Sequence, residues 1–267
     1  MRSDFPGRIV CLTEETTETL YLLEEDWRIV GISGFTVRPP QARKEKPRVS
    51  AFTSAKIDKI LALQPDLVLG FSDLQADIAG ELIRAGIDVH IFNQRSVAEI
   101  LQMIVVLGGM IGCQDKAMRL AESLEGNLEA VGGKARAYAS KPQVYFEEWD
   151  DPQISGIRWV SELIETAGGQ DCFPELAVEA GAAKRIIADP QEVVRRNPDI
   201  IIGSWCGKKF RPERVMARPG WDAVTAVATQ QVYEIKSALI LQPGPAALSD
   251  GLAEIQSIIA NWVAANG

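Results

Sequence analysis

Charged and aromatic side chains cluster directly after apolar runs of this 267-residue chain, where predicted strands end. Residues 145–151 read YFEEWDD, and residues 204–211 read SWCGKKFR. Carboxylate, ammonium and guanidinium groups form charge-assisted hydrogen bonds with polar small molecules, and tryptophan rings stack on flat ones. These segments therefore favour binding chemistry, either with a charged metabolite or with a large flat ligand.

A catalytic interpretation of the same segments depends on Cys206, which lies beside Trp205 and close to Lys208. A neighbouring ammonium group can lower the pKa of a thiol and make it a nucleophile. The sole histidine, His90, lies in a predicted strand, and the chain has neither a GxSxG elbow nor a GxxxxGK[ST] phosphate loop. A single histidine also argues against a transition-metal site. A cysteine enzyme stays open as an alternative, without a metal or a covalently bound cofactor.

One sequence pattern occurs twice and predicts the elements that position these side chains. Residues 56–73 read KIDKILALQPDLVLGFSD, and residues 189–206 read DPQEVVRRNPDIIIGSWC. Each copy predicts a short amphipathic helix, a break at Pro-Asp and a fully apolar strand that ends at Gly70 or Gly203. Open α/β sheets bind ligands at such strand ends. The repeat therefore predicts two similar lobes.

Strands alternate with helices along the rest of the chain, which predicts an α/β fold with mainly parallel sheets. The first strand covers residues 8–12, and a helix over residues 18–23 follows a polar loop. Residues 115–139 have apolar positions at helical spacing and predict one long, stiff helix. We therefore divide the chain into an N-terminal lobe (1–112), a connecting helix (113–141) and a C-terminal lobe (142–267).

The composition is that of a globular protein that does not bind nucleic acid. The chain is 46% apolar and 24% charged, and its net charge of −8 disfavours polyanionic partners. It has no run of about 18 apolar residues that could span a membrane. The N-terminal residues MRSDFPGR lack the apolar region of a signal peptide. We expect a cytoplasmic monomer, or a periplasmic one if a signal sequence has been removed.

The order of these elements resembles one known family. Residues 31–42 (GISGFTVRPPQA), the segment around Phe52 and the run LQPDLV at residues 63–68 are similar to the cobalamin and ferric-siderophore class of substrate-binding proteins, which serve bacterial ABC importers. The cobalamin-binding branch is the more similar one, and the resemblance covers residues 8–263. It implies two Rossmann-like lobes joined by one rigid helix, with a small-molecule ligand such as a cobalamin-like corrinoid held in a cleft.

The resemblance also implies which residues contact the ligand. The matching positions of cobalamin binders include aromatic residues at Phe35 and Phe52, and Trp149 and Trp205 follow strands of the other lobe. Flat rings suit a macrocycle that is buried with few directional contacts. The unusual density of charge at the predicted cleft, which departs from the family pattern, adds Glu14, Arg38, Glu147 and Lys208 as polar contacts. With Trp159, which precedes a predicted helix, the full set of predicted ligand contacts is Glu14, Phe35, Arg38, Phe52, Glu147, Trp149, Trp159, Trp205 and Lys208.

Importer-coupled members of this class dock onto their permease through one acidic residue on each lobe. In the first copy of the repeat this position is Asp58, seven residues before Pro65, whereas the second copy has Gln191 there and Glu192 one residue later. A shift of one residue turns a helical side chain by about 100°. Permease docking is therefore in doubt, and three alternatives stay open: an importer-coupled protein for siderophore, haem or cobalamin, a cytosolic binder of a polar metabolite, and a cysteine enzyme.

Overall fold

The computed structural model describes residues 4–267, which form two compact units. Unit 1 contains the described residues up to Gln94 together with Ala98–Leu124, and unit 2 contains Arg95–Val97 and Glu125–Gly267. Residues 1–3, on which the signal-sequence argument partly depends, lie outside the described residues. Within residues 4–267 we find no helix that is both long and apolar enough to cross a membrane.

The sheet of unit 1 has five strands in the order β3-β2-β1-β4-β5, and every neighbouring pair is parallel. Its central strands consist almost entirely of buried apolar residues, because parallel sheets are covered on both faces. The strands are β1 (Ile9–Cys11), β2 (Ile29–Ser33), β3 (Arg48–Ser50), β4 (Leu67–Phe71) and β5 (Val89–Phe92).

Helices follow each strand of unit 1, and two of them differ from the sequence-based prediction. The first helix begins at Glu14, not at residue 18, because the acidic residues Glu14 and Glu15 suit the positive end of a helix and fold into its first turn. The long helix is continuous but ends at Ala135, not at residue 139. The helices are α1 (Glu14–Leu22), α2 (Ala42–Glu45), α3 (Ile57–Ala62), α4 (Ala76–Arg84), α5 (Val97–Met110) and α6 (Gln114–Ala135), of which α5 and α6 also contribute residues to unit 2.

The sheet of unit 2 has the order β10-β9-β6-β7, and β8 pairs with the beginning of β6. All pairs are parallel except β6 with β7, which are antiparallel. Sequence analysis missed β7 and β8, which contain only three and two residues. The strands are β6 (Gln143–Asp150), β7 (Gln153–Ser155), β8 (Gln170–Asp171), β9 (Ile200–Gly203) and β10 (Val232–Glu234).

The helices of unit 2 include the predicted C-terminal one, which is preceded by a π-helical turn at Ala247–Gly251. Trp159 lies inside the first of these helices and not in the loop before it, as the sequence had suggested. The helices are α7 (Arg158–Thr166), α8 (Pro174–Ala177), α9 (Gln191–Arg196), α10 (Pro212–Met216), α11 (Thr225–Ala228), α12 (Ser237–Ile240) and α13 (Leu252–Asn266).

The glycines near the ends of the two repeated strands, Gly70 in β4 and Gly203 in β9, leave room for a neighbouring side chain. A Cβ atom on Gly70 would lie 2.6 Å from the amide oxygen of Gln75 and 2.7 Å from the Cδ1 atom of Ile91. A Cβ atom on Gly203 would lie 1.8 Å from a ring carbon of Phe210. Phe210 is buried and packs edge to face on Trp205, with 4.8 Å between ring centroids. The repeated glycine is thus a packing requirement in both units.

We expect Gly203→Ala to destabilise the protein by about 1–3 kcal/mol, because the Phe210 ring has to leave its packed position. The matched control is Gly126→Ala, since no atom lies within 4 Å of a Cβ at that helical position. The control should stabilise the protein by about 0.5–1 kcal/mol. Urea unfolding midpoints measure both changes, and equal stability of the two variants would contradict this account of Gly203.

Candidate functional site

The carboxyl ends of the unit 1 strands carry exposed apolar side chains. Phe35 and Val37 follow β2 and are 61% and 38% exposed, and Leu74, in the 3-10 turn after β4, is 59% exposed. Strands β2 and β4 flank β1, so their ends are separated by about 10 Å. We call Phe35, Val37 and Leu74 the apolar face of unit 1. Sequence analysis found Phe35 but missed Val37 and Leu74, although both follow predicted strands.

Phe52 is half-buried, and the backbone of its loop is held by Gln75. The fully buried Gln75 donates to the carbonyl oxygen of Phe52 (2.8 Å) and accepts from the amide of Phe71 (2.9 Å). It also donates to the carbonyl oxygen of Leu12 at 3.4 Å. Gln75 therefore joins the ends of β1 and β4 to the loop after β3. Nothing in the local sequence pattern of Gln75 pointed to this role.

Two of the predicted polar contacts, Glu14 and Arg38, bond to other parts of unit 1. The buried Glu14 carboxylate accepts from the amide of Val37 at 2.6 Å. The Arg38 guanidinium pairs with the Glu18 carboxylate at 2.8 Å between Nε and Oε1. These bonds attach the segment that carries Phe35 and Val37 to the first turns of α1. Both side chains thus position the apolar face.

The carboxyl groups of Glu14 and Glu15 are buried at the start of α1, and the pKa of each is raised. Burial, helped by the charge of the nearby Glu18 carboxylate, raises the pKa of Glu14 and of Glu15 to about 7. Hydrogen bonds from Val37 and from Thr13 oppose this rise. One carboxylate oxygen of each residue is buried without a hydrogen-bond acceptor or donor partner. Such an oxygen is costly as an anion but suits a protonated carboxyl group.

The central feature at the strand ends of unit 2 is Glu147, which is fully buried. Its carboxylate accepts two hydrogen bonds from Arg218, at 2.5 and 2.9 Å. It also accepts from the indole nitrogen of Trp205 (3.0 Å) and from the phenol of Tyr145 (3.0 Å). Burial, and then the Glu147 charge, raise the pKa of Tyr145, so that the phenol stays a donor. Glu147 therefore positions Trp205 from within unit 2.

Trp149 and Lys208 are the accessible members of this region. The Lys208 ammonium lies 4.2 Å from the ring centroid of Trp149 and 4.9 Å from that of Trp205, and it pairs with the Asp150 carboxylate. Trp149 is half-buried, and its indole donates to the carbonyl oxygen of Asp151 at 2.9 Å. Trp205 is only 3% exposed and forms the layer beneath Lys208. Together they present a cation over a flat aromatic surface.

Trp159 lies in the interior of unit 2. It is 3% exposed, and its indole nitrogen donates to the carbonyl oxygen of Ile240 at 2.8 Å, which fastens α7 to α12. This bond uses the only polar atom of the ring. The arrangement gives Trp159 a packing role within the unit.

A protein-family model described as periplasmic binding protein matches residues 9–239 of this chain. The chain belongs to the periplasmic binding protein family. This confirms the resemblance recognised in the sequence, and members of the family are substrate-binding proteins that catalyse no reaction.

Three relatives illustrate the range of periplasmic binding proteins that are similar to this chain. The ABC transporter substrate-binding lipoprotein YvrC of Bacillus subtilis is 27% identical over 95% of this chain and 80% of its own length. The vitamin B12-binding protein of Vibrio campbellii is 26% identical over 88% of this chain and 83% of its own length. The periplasmic heme-binding protein RhuT from Roseiflexus sp. RS-1 is 22% identical, with a TM-score of 0.80 over 95% of this chain and 99% of that one. The predicted fold class, that of class III periplasmic binding proteins, is confirmed.

Cys206 and His90, the two residues considered for catalysis, both lie where partial burial disfavours the charged form of the side chain. Partial loss of solvent, and then the Glu148 carboxylate, raise the pKa of the exposed Cys206 thiol, which disfavours the thiolate. Burial lowers the pKa of His90, which packs edge to face on Phe92 at 4.3 Å. Among residues 4–267 no group of His, Cys, Asp and Glu side chains could hold a metal ion.

The two acids considered for permease docking have different surroundings. Asp58 is exposed on α3. Glu192, on α9, pairs with Arg195 at 2.7 Å and with Arg196 at 2.9 Å. Gln191, which occupies the position equivalent to Asp58, donates to the carbonyl oxygen of Pro219 at 3.3 Å. The acid of unit 2 is thus partly neutralised by its own helix.

We expect Glu15→Gln to change the pH dependence of stability. A folded-state pKa of about 7 against 4.5 means that the folded protein binds the extra proton between these values, so this group stabilises the fold at low pH and loses that contribution as pH rises through 7. The free energy of unfolding of the variant, relative to wild type, should therefore increase by about 2 kcal/mol from pH 5 to pH 8. Urea unfolding measures it. The exposed Glu129→Gln is the control, and parallel pH profiles for all three proteins would contradict the prediction.

We expect Arg218→Met to destabilise the protein by about 3–5 kcal/mol, because it leaves the buried Glu147 carboxylate without a counter-ion. The control Arg214→Met removes a 63% exposed guanidinium that lies 3.9 Å from Asp150, and it should cost less than about 0.5 kcal/mol. Thermal unfolding distinguishes the two. A small effect at Arg218 would show that Glu147 is not held as an ion.

Proposed function

We propose that this protein binds a compact or macrocyclic ligand, a cobalamin-like corrinoid first of all, without transforming it. Each unit presents candidate ligand contacts at the carboxyl edge of its own sheet. The observation that carries the proposal is the apolar face of unit 1, where Phe35, Val37 and Leu74 are exposed at strand ends. Exposed apolar side chains that collect at a strand edge favour a ligand of large apolar area over a small polar metabolite.

The segment that carries two of these side chains is well anchored, which supports a preformed binding surface. Val37 is held through its amide by Glu14, and the neighbouring Arg38 is held by Glu18. A surface that is fixed before binding loses little conformational entropy when the ligand arrives. Glu14 and Arg38 contribute to binding by positioning Phe35 and Val37.

Unit 2 contributes Trp149 and Lys208 in this proposal. The ring of Trp149 is flat and apolar, and the Lys208 ammonium lies over it, 4.2 Å from the ring centroid. Trp205 and Glu147 support these two side chains from below, through the indole bond to the carboxylate. Trp159 lies outside the proposed ligand contacts, because α7 and α12 enclose it.

Haem is the second candidate ligand, since a relative with a similar fold is named a heme-binding protein. The same apolar face and the Lys208 cation suit a porphyrin with carboxylate side chains. The cytoplasmic location stays a prediction, and docking to a permease stays an open alternative. The exposed Asp58 and the partly neutralised Glu192 are the residues on which permease docking depends.

Titration with cyanocobalamin and, separately, with haem tests the ligand. Binding should quench tryptophan fluorescence and shift the absorption bands of the ligand, with saturation at one equivalent. Saturation by cyanocobalamin supports the corrinoid proposal, and saturation by haem alone replaces it. If neither ligand binds at tens of micromolar, the macrocyclic proposal fails and the polar-metabolite alternative takes its place.

We expect Leu74→Ala to weaken binding of the ligand by about tenfold, because it removes apolar area from the ligand contact. Leu22→Ala is the matched control, since Leu22 is 50% exposed but lies at the end of α1, away from the strand ends. Fluorescence titration measures both dissociation constants. An equal loss in the two variants would contradict the assignment of Leu74 to the ligand surface.

A further inference from the structure

A groove of about 350 Å³ opens beside the edge strand β3 of unit 1. It lies next to the apolar face, since Gly34 precedes Phe35 and the lining residues Ala51 and Ser54 bracket the Phe52 loop. Every lining residue belongs to unit 1. The lining residues are Gly34, Arg48, Val49, Ser50, Ala51, Ser54, Ala55 and Lys56.

The charge of the groove is opposite to that of the whole protein. Arg48 and Lys56 line it, and no carboxylate does. Both side chains are exposed, and neither pairs with an acidic residue in the part of the chain that the structure describes. The protein as a whole has a net charge of −8, so two unpaired cations in one groove are a local exception. Such a pair attracts anions.

Hydroxyl groups complete the lining. The Oγ atom of Ser50 is buried and has no hydrogen-bond partner among residues 4–267, so a hydroxyl donor is left unused. Arg48 and Ser50 both belong to β3, and both line the groove. A buried hydroxyl without a partner costs free energy, and an oxyanion that accepts its hydrogen bond would recover that cost.

The backbone around the groove is fixed by hydrogen bonds. Ser50 and Ala55 form an antiparallel bridge, and the amide of Lys56 donates to the carbonyl oxygen of Val49 at 2.9 Å. The amide of Gly34 donates to the carbonyl oxygen of Ser50 at 2.7 Å. These bonds set the spacing of the two cationic residues and the two serines before any ligand binds.

We propose that this groove is a binding site for an oxyanion, a phosphate or carboxylate group, held by Arg48, Lys56 and the hydroxyl of Ser50. The anion is either free in solution or part of a larger ligand on the adjacent apolar face. Binding of an anion that is part of a larger ligand rests on the proposed function, whereas binding of a free anion does not. Arg48 supplies a planar guanidinium that suits a tetrahedral or planar oxyanion.

Titration with inorganic phosphate, followed by amide NMR shifts, tests the site. In wild type, shifts of Ser50, Ala51 and Ser54 should saturate, and Arg48→Met/Lys56→Met should weaken phosphate binding about tenfold. The control Arg43→Met/Lys59→Met removes the same charge from exposed residues outside the groove and should leave the dissociation constant unchanged. Shifts that do not saturate, or an equal loss in both double variants, would overturn the proposal. Thermal midpoints confirm that both variants are folded.

Binding of cyanocobalamin and of dicyanocobinamide, which lacks the nucleotide phosphate, distinguishes the two sources. If the groove holds a phosphate carried by the ligand, Arg48→Met/Lys56→Met weakens cyanocobalamin binding about tenfold and leaves cobinamide binding unchanged. If it holds a free anion, neither corrinoid is affected while phosphate binding is lost. If the wild-type protein binds neither corrinoid, only the proposed function is contradicted, because the phosphate titration tests the oxyanion site independently.

Discussion

A polar side chain that is buried beneath the strand ends needs a hydrogen-bond partner within the protein, because water does not reach it. This requirement decides which side chains stay available to contact a ligand. Glu147 meets it with four hydrogen bonds from Arg218, Trp205 and Tyr145. Once a carboxylate is surrounded in this way, it is a support and no longer a contact. Glu14 is a support of a weaker kind, since one of its oxygens accepts from the amide of Val37. The surface that is available to a ligand then consists of the side chains that Glu147 and Glu14 hold in place.

The two units accommodate their buried acidic side chains in different ways. Unit 2 keeps Glu147 paired with a guanidinium, so its charge is balanced inside the unit. Unit 1 makes Glu14 and Glu15 easier to protonate, because burial raises the pKa of each to about 7. The raised acids of unit 1 lie beside an apolar face, whereas the paired acid of unit 2 supports a surface with an exposed cation at Lys208. The two strand edges therefore differ in polarity although their strands follow the same repeated pattern.

Much of this fold could be predicted because its signals are local. The Pro-Asp breaks and apolar strands of the repeat gave β4 and β9 nearly to the residue, and helical spacing gave α6. The short strands β7 and β8 could not be predicted, since pairing with β6, and not their own sequence, makes them strands. The start of α1 was missed because acidic residues after a strand look like a loop until their burial is known.

The candidate site was predictable in position but not in the role of each residue. Strand ends were found from the apolar runs, and Phe35 and Trp149 were named there. Whether a side chain faces solvent or the interior depends on contacts distant in sequence, such as those of Glu147 with Arg218, 71 residues apart, and of Trp159 with Ile240, 81 residues apart. No local pattern carries that information. Gln75 illustrates the same limit, because its three backbone contacts come from separate strand ends.

The pairing of Glu147 with Arg218 also has an evolutionary consequence. Loss of either partner alone leaves a charge buried without its counter-ion, which costs more than exchanging both for apolar residues. A lineage that departs from this pair must therefore pass through a poorly folded intermediate or change both codons together. The two positions are expected to vary as a unit among descendants of a common ancestor, and an exposed residue such as Arg214 is free to drift by itself.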